Sequence, residues 1–477
     1  MSPLLMALVP VVLAPACAAR TRPSLAPLVL VGAGTVEVVL SLIVAFGRDS
    51  GRTLGGYFLV DPTARLFLVV INLVFLGVAA YVWNRVRTVP ELAVGIERFG
   101  VLALLFLGAA NLAVVSNHLV GTWVSLELTT LAAAPLIVRE GIPSSRRASW
   151  HYFLFSSVGL GLAFVGFLCL ARSLEADGLV PTFFLDELAG RVGGPPNTWR
   201  KLGLALVFLG YGTKLGLAPM YSWLPEAYDE APPAVTVLLA AVQFNCALVG
   251  LLRVLSVYRA GNPELVADEL LVIGLASMAV STASIIATRN IKRLIAYASI
   301  NHAGVIAIGL GVGKGASYGV LLYVVSNAFI KAILFLTVGK IKAHYRTKDT
   351  REIGGLIKDL PYSGLFLMVG TFALLGFPPF GSFLGELIIL SGLVQSGQML
   401  VFATFCLLIT ATFVATGRTV FPMIWGEPKR HVTWPRQTAL AAAPKLVFLV
   451  ALLAMGIYMP PAVNTLFRQV AASLGGE

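Results

Sequence analysis

Fourteen apolar runs, separated by short polar connections, occupy most of this 477-residue chain. They fall at 3–19, 25–46, 61–83, 99–116, 118–138, 149–171, 201–220, 233–252, 266–288, 294–313, 316–339, 361–395, 399–425 and 438–458. A run of about 20 apolar residues crosses a bilayer core as a helix. No water is available there to bind the backbone, so helix is the form such a run takes. Apolar residues make up 57% of the chain and charged residues 12%, too few charges to coat a soluble protein of this length. The sequence therefore predicts an all-α polytopic membrane protein with about 14 transmembrane helices, and it excludes a soluble enzyme. The first run is short and has Cys17 and small residues near its end, as a signal peptide would. It lacks a basic start and a second apolar run follows almost at once, so it reads as a retained span.

The 35 Lys and Arg residues orient the chain. Twenty lie in odd-numbered connections and ten in even-numbered connections and the tail, with Arg65, Lys214, Lys331, Arg418 and Lys445 inside apolar runs. The excess of cations on one side predicts cytoplasmic odd connections and both termini on the non-cytoplasmic side. The net charge of +12 is thereby a topology signal. No segment has the basic, aromatic-interleaved face of a nucleic-acid binder. Cys17, Cys169, Cys246 and Cys406 are scattered through apolar stretches without metal or iron–sulfur spacing. No catalytic residue, metal or cofactor is expected in this chain.

Two runs carry helix breakers at membrane depth. One reads Lys214-Leu215-Gly216-Leu217-Ala218-Pro219 followed by Trp223-Leu224-Pro225, the other Gly376-Phe377-Pro378-Pro379-Phe380-Gly381. Backbone freed there must face protein or a wet cavity. Lys214 and Glu386 lie 172 residues apart, and the span openings Ala148-Ser149-Trp150 and Ala316-Ser317-Tyr318 lie 168 apart. With one break in the seventh run and one in the twelfth, the two halves have opposite orientation, the mark of an inverted repeat with a central ion site.

Ionisable groups at bilayer depth are costly and point to function. Glu127 is mid-span and too short to reach a loop; its alternative role is a structural ion pair between helices. Lys214, beside the first break, is expected to pair with Glu127, or else to reach the interface on its long stem. Lys331 is mid-span with no acid in its own run. Glu386 follows the second break and should start a half-helix, where the dipole favours an anion. His302 is either a satisfied core residue or a proton relay. Glu37 could pair with a neighbouring subunit. Arg65 and Lys445 read as snorkelling cations, and Arg418 stays open. Glu226, Asp229 and Glu230 form either a solvated acidic loop or a proton-collecting surface. A Glu/Lys/His chain suits proton transfer, because desolvation and nearby carboxylates shift a lysine's proton affinity. No nucleotide loop or haem motif supplies energy, so a gradient or a partner must.

At these residues the chain resembles the proton-conducting, antiporter-like membrane subunits of complex I, of group 4 membrane-bound hydrogenases and of Mrp antiporters. The motifs are Trp123-Val-Ser-Leu-Glu127-Leu-Thr-Thr-Leu131, Lys214-Leu-Gly-Leu-Ala-Pro219 with Trp223-Leu-Pro-Glu-Ala-Tyr-Asp-Glu-Ala-Pro232, Asn290-Ile-Lys-Arg-Leu-Ile-Ala-Tyr-Ala-Ser-Ile-Asn-His302 and Ala328-Phe-Ile-Lys331. Glu386 and Leu128-Thr129-Thr130-Leu131 look most like the hydrogenase-4 F-type subunits. The resemblance implies three N-terminal helices over 1–98, inverted five-helix repeats over 99–258 (helices 4–8) and 259–430 (helices 9–13), and a last helix with a short tail over 431–477. It implies Glu127 and Lys214 as a coupling ion pair, Lys331 as central relay and Glu386 as the terminal group. Asn245 takes the relay position where many relatives have Lys or His. Asn327 and His151 also depart from the usual His and Lys. The implied function is proton translocation in a redox-driven complex of the bacterial or archaeal cytoplasmic (inner) membrane, with Na+ as the alternative ion. The implied partners are other membrane subunits, membrane lipid, and a peripheral redox arm carrying Fe–S, NiFe or flavin. The alternatives are a Mrp-like cation/proton antiporter subunit, a proton-driven membrane subunit of an inorganic carbon uptake complex, and a membrane anchor with an inactive channel.

Overall fold

Apolar runs satisfy their own backbone in lipid as helices, and the computed structural model of the chain is helical almost throughout. It describes residues 3–18, 25–47, 51–89, 95–193, 195–261, 263–313, 315–429 and 439–474. Arg20, Arg22, Arg48, Lys314, Arg430 and Arg436, on which the expected orientation partly rests, lie outside them. The first helices are α1 (Leu4–Cys17), α2 (Leu25–Phe46), α3 (Pro62–Thr88), α4 (Ile96–Val115), α5 (Leu119–Ile137), α6 (Pro143–Ala176) and α7 (Leu185–Arg191). Next come α8 (Thr198–Leu215), α9 (Trp223–Glu230), α10 (Pro233–Val237), α11 (Phe244–Gly261), α12 (Pro263–Ala287), α13 (Ile291–Val312) and α14 (Ser317–Tyr345). The chain closes with α15 (Leu356–Asp359), α16 (Pro361–Leu374), α17 (Gly381–Gln395), α18 (Met399–Trp425), α19 (Ala439–Ile457) and α20 (Pro461–Ser473).

Among the described residues ten helices are long and apolar enough to cross a membrane, α10 and α11 counting as one continuous span. A bent pair over α19 and α20, 75° apart, would make eleven. The remaining expected runs are shorter or interrupted. Helix α1 has 14 residues and contains Pro10 and Pro15. The seventh and twelfth runs are divided by their glycines and prolines.

Both divisions have the same backbone. After α8, Gly216 takes φ 76°; its N–H donates to Thr213 O at 3.2 Å, and Leu217 N–H donates to Gly212 O at 2.8 Å. After α16, Gly376 takes φ +66°; its N–H donates to Ala373 O at 3.3 Å, and Phe377 N–H donates to Phe372 O at 3.0 Å. This paired closure satisfies the last carbonyls of a helix and needs a left-handed residue, which glycine supplies without strain. Cis peptide bonds at Ala218–Pro219 and Pro378–Pro379 follow.

Small residues let the helices approach closely. A Cβ on Gly166 would meet Gly203 O of α8, and one on Gly304 would meet Gly274 O of α12. A different irregularity sits between α10 and α11, where Leu238–Gln243 winds as a π-helical turn. Four odd-numbered connections meet at one end of the bundle: Arg139, Glu230, Asn290 and Lys348 form one cluster there with Asp229. The second, fourth and eighth connections meet at the other end. A two-residue hairpin pairs Arg52–Thr53 (β1) with Phe58–Leu59 (β2), Asn117 N–H donates to Tyr57 O at 2.8 Å, and Arg253 bridges to Asp61 at 2.9 Å.

Candidate functional site

Lys214 is the last-turn lysine of α8, two residues before the Gly216 break. It is buried, at 3% exposure. Its Nζ donates to Thr130 Oγ1 of α5 and lies 5.3 Å from the centre of the Tyr152 ring of α6. Thr130 can accept because its own hydroxyl proton goes to Leu126 O, 3.1 Å away. Glu127, one turn from Thr130, accepts from Ser157 Oγ of α6, and its second oxygen is buried without a partner. The expected Glu127–Lys214 ion pair is thus not closed in this structure: each group holds a neutral hydroxyl, and the two act on one another through space. The separation follows from the sequence. Three residues set Thr130 and Glu127 nearly a helical turn apart on the same face.

From Tyr152 the polar line continues into the second half. Gln243 Nε2 donates to Tyr152 Oη at 2.6 Å and to Thr129 Oγ1 at 3.2 Å. Gln243 closes the π-helical turn, and the next residue, Phe244, lies under Lys331 of α14, whose Nζ is 4.2 Å from that ring centre. Lys331 is 1% exposed, and its Nζ has no hydrogen-bond partner among the described residues. An ammonium over an aromatic face gains part of what a hydrogen bond would give. Asn245, the expected eighth-span relay, donates back to Ala241 O in its own helix and leaves Oδ1 buried and unpartnered. It faces neither lysine through a hydrogen bond; Gln243, two residues earlier, makes the cross-helix contacts instead. Sequence reasoning missed Gln243, which sits in a π turn, and Tyr152 and Ser157, which are neutral residues of α6 that a search for charges passes over.

His302 on α13 is buried at the end of the first half of the second broken run. Its Nε2 lies 3.1 Å from Leu374 O, the last residue of α16, and its Nδ1 lies 2.8 Å from Asn327 Oδ1. A carbonyl only accepts, so Nε2 carries the proton toward Leu374. The Asn327 amide meets Nδ1, and which of its two ends faces the ring follows from whether Nδ1 carries a proton. A small cavity beside His302 is lined by Asn301, Leu374, Ile409, Thr412 and Thr416. Glu386 lies on α17 and its carboxylate rests against Gly376. It is the sixth residue of α17, counting from Gly381. That is beyond the first turn, where the helix dipole acts, so the expected dipole support is weak and the break itself is its nearest neighbour.

The three acids after the first break are all ion-paired. Glu226 meets His151 at 2.6 Å and Arg147 at 3.4 Å. Glu230 meets Arg139 at 2.7 Å and Lys348 at 3.3 Å. Asp229 is 4% exposed at its side chain and meets Lys348 at 2.7 Å and Arg293 at 3.2 Å. Burial disfavours the Asp229 charge, yet the hydrogen bond and charge of Lys348, with Asn290 and Lys292, outweigh it and hold the carboxyl below the usual aspartate range. Glu37 is buried within the N-terminal helices. It accepts from Asn111 Nδ2 at 3.1 Å, and Asn111 also reaches Asn72 and Met6 O. At 0% exposure it is closed to any neighbouring subunit.

The family profile described as "NADH:quinone oxidoreductase/Mrp antiporter, TM" matches residues 116–412. A hydrogenase-4 component F homolog of Methylacidiphilum infernorum is 30% identical over 453 residues, covering 92% of each chain. NADH-quinone oxidoreductase subunit N 2 of Roseiflexus castenholzii is 30% identical over 409 residues, covering 80% of this chain and 78% of the relative. Among solved structures, a chain of an archaeal membrane-bound sulfane sulfur reductase superposes with a TM-score of 0.87 at 21% identity, covering 99% of this chain and 98% of that one. A chain of the Mrp complex from Dietzia sp. gives 0.84 at 20%, covering 99% and 96%, and one of respiratory complex I from Thermus thermophilus gives 0.81 at 23%, covering 100% of both.

Proposed function

This chain belongs to the NADH:quinone oxidoreductase/Mrp antiporter transmembrane family, and from that premise we propose that it is a proton-translocating subunit of a redox-driven membrane complex, of the group 4 hydrogenase or complex I-like type. Electron transfer belongs to partner subunits; this chain moves H+ across the bacterial or archaeal cytoplasmic membrane. One observation carries the reading. Lys214 and Lys331 are both buried inside the protein, neither has a carboxylate within salt-bridge distance among the described residues, and a line of contacts leads from the first toward the second: the Tyr152 ring against Lys214, Gln243 bonded to the Tyr152 hydroxyl, and Phe244 against Lys331. A buried ammonium without a counter-charge is held at a cost of several kcal/mol, so small changes in water or in the position of Glu127 decide whether each lysine keeps its proton.

The relay then runs from Glu127 and Lys214 through Gln243, with Asn245 ordering water, to Lys331, His302 and Glu386. Of the three acids Glu226 is the proton-collecting group: its partner His151 is 46% exposed at the side chain, whereas Asp229 is enclosed. The matching hydrogen bonds at Gly216 and Gly376 support two inverted repeats and a fold of fourteen membrane runs, two of them broken. The orientation, with odd connections cytoplasmic, rests on the excess of cations there.

The test is reconstitution of the complex with its partners in vesicles, comparing proton uptake of wild type with Lys214→Met, Glu127→Gln and Lys331→Met. Loss of uptake with assembly intact supports the relay. Unchanged uptake in all three sinks it and leaves a membrane anchor. The family description also covers Mrp antiporters, and that second reading requires Na+-dependent proton exchange without an electron donor.

A further inference from the structure

Helix α9 is held almost entirely by residues from elsewhere. At its C-terminal end Asp229 binds Lys348 and Arg293, Asn290 Nδ2 donates to Asp229 Oδ2 at 3.1 Å, and Lys292 Nζ donates to Asp229 O and Ala231 O, both at 2.8 Å. Glu230 adds Lys348 and Arg139. All but Arg139 come from the start of α13 and the connection after α14, in the second half of the chain. Asn290 in turn caps α13, accepting from Lys292 and Arg293 N–H, so the cluster also fixes the start of the helix that carries His302.

Glu226 adds His151 and Arg147 of α6, and the aromatic residues of α9 reach the surroundings of both lysines. Trp223 Nε1 donates to Thr213 O, next to Lys214. The Trp223 ring is 5.2 Å from Tyr152, the ring that faces the Lys214 ammonium. Tyr228 meets Phe335 edge to face at 5.6 Å, and Phe335 is one turn along α14 from Lys331. A short rigid helix touching the surroundings of both lysines, clamped by charges at one end, cannot shift without moving both.

We propose that α9 is a strut coupling the two buried lysines, and that Lys348, Asp229 and Glu230 are positioning residues that set its place. This rests on the relay reading above and adds to it the part through which one half senses the other. Asp229 and Glu230 serve here to hold the helix rather than to carry protons; α9 transmits displacement, so that a change in charge at Lys214 alters the packing around Lys331.

The test uses the complex with its partner subunits in vesicles and reads protons moved per electron transferred, alongside electron-transfer rate and assembly on a native gel. Lys348→Met is expected to lower that ratio severalfold, while Lys348→Arg retains it. Should Lys348→Met fail to assemble, Phe335→Leu takes its place, since it leaves every ion pair intact and removes the ring against Tyr228. An unchanged ratio in the assembled variant, with Lys214→Met inactive, overturns the strut alone. An unchanged ratio in Lys214→Met overturns the relay, and the strut with it.

Discussion

The carboxylate of Glu386 rests on Gly376, so closely that a Cβ built there would fall 2.5 Å from Oε2. The same glycine has φ +66°, a conformation disfavoured for other residues by roughly 1–2 kcal/mol. Gly376→Ala therefore acts twice, straining the break and pushing the acid out of place. The expected result is a modest drop in thermal stability and a loss of proton uptake out of proportion to it. Melting and vesicle uptake on the same preparation check this; full uptake at lowered stability would mean that Glu386 needs no fixed position.

Among the described residues Thr130 alone accepts a hydrogen bond from the Lys214 ammonium. Thr130→Val keeps the shape and removes the acceptor, and a hydrogen bond to a charged group contributes about 1.5–3 kcal/mol. The lysine would then turn toward Glu127, the nearest carboxylate acting on it. Uptake should slow severalfold, and Thr130→Ser should restore it. Equal rates in Val and Ser variants would exclude a role for the hydroxyl.

How much of this was legible in the sequence depends on the length scale of the signal. Family membership and the membrane helices rest on long features, apolar runs and spaced motifs, and the comparisons agree with both. The glycine and proline runs that interrupt α8 and α16 were equally visible, because Gly and Pro act on their own backbone. Side-chain partners were not. Glu127 and Lys214 attract one another in a list of charges, yet Ser157 and Thr130 take the contacts, since a hydroxyl on the facing helix is nearer. Asn245 drew attention as the departure from a titratable residue, whereas the π-helical turn ending at Gln243 gives that neighbour the cross-helix bonds. Such a turn has no sequence pattern. The acids after the first break read as a loose acidic surface because their cations lie some 60 to 120 residues away in the chain.

Asn111 ties together α1, α2, α3 and α4 through Met6 O, Glu37 and Asn72. Asn111→Leu removes three donor contacts at once and leaves buried acceptors unpaired, each worth about 1–3 kcal/mol. The N-terminal helices should loosen, read as lower melting temperature and faster proteolysis, while the polar line around Lys214 is untouched. Loss of uptake without loss of stability would contradict this purely structural role.

The two carboxylates that clamp the C-terminal end of α9 should keep their charge across the physiological pH range. Burial opposes the charge on Asp229 and Glu230, but Lys348 with Asn290 and Lys292 for the first, and Lys348 and Arg139 for the second, hold both carboxyls below their ordinary values of 3.8 and 4.5. A group whose affinity for protons is lower in the folded state stabilises at pH above its unfolded value, and that stabilisation disappears as pH falls through the folded one. Hydrogen-exchange protection of α9 is accordingly expected to stay level from about pH 8 to about pH 5 and to fall only below about pH 4. Lys348→Met removes the cation common to both acids, so the fall should begin at higher pH in that variant. Loss of protection between pH 6 and 8 in the wild type would contradict a clamp set by the Asp229 and Glu230 carboxylates.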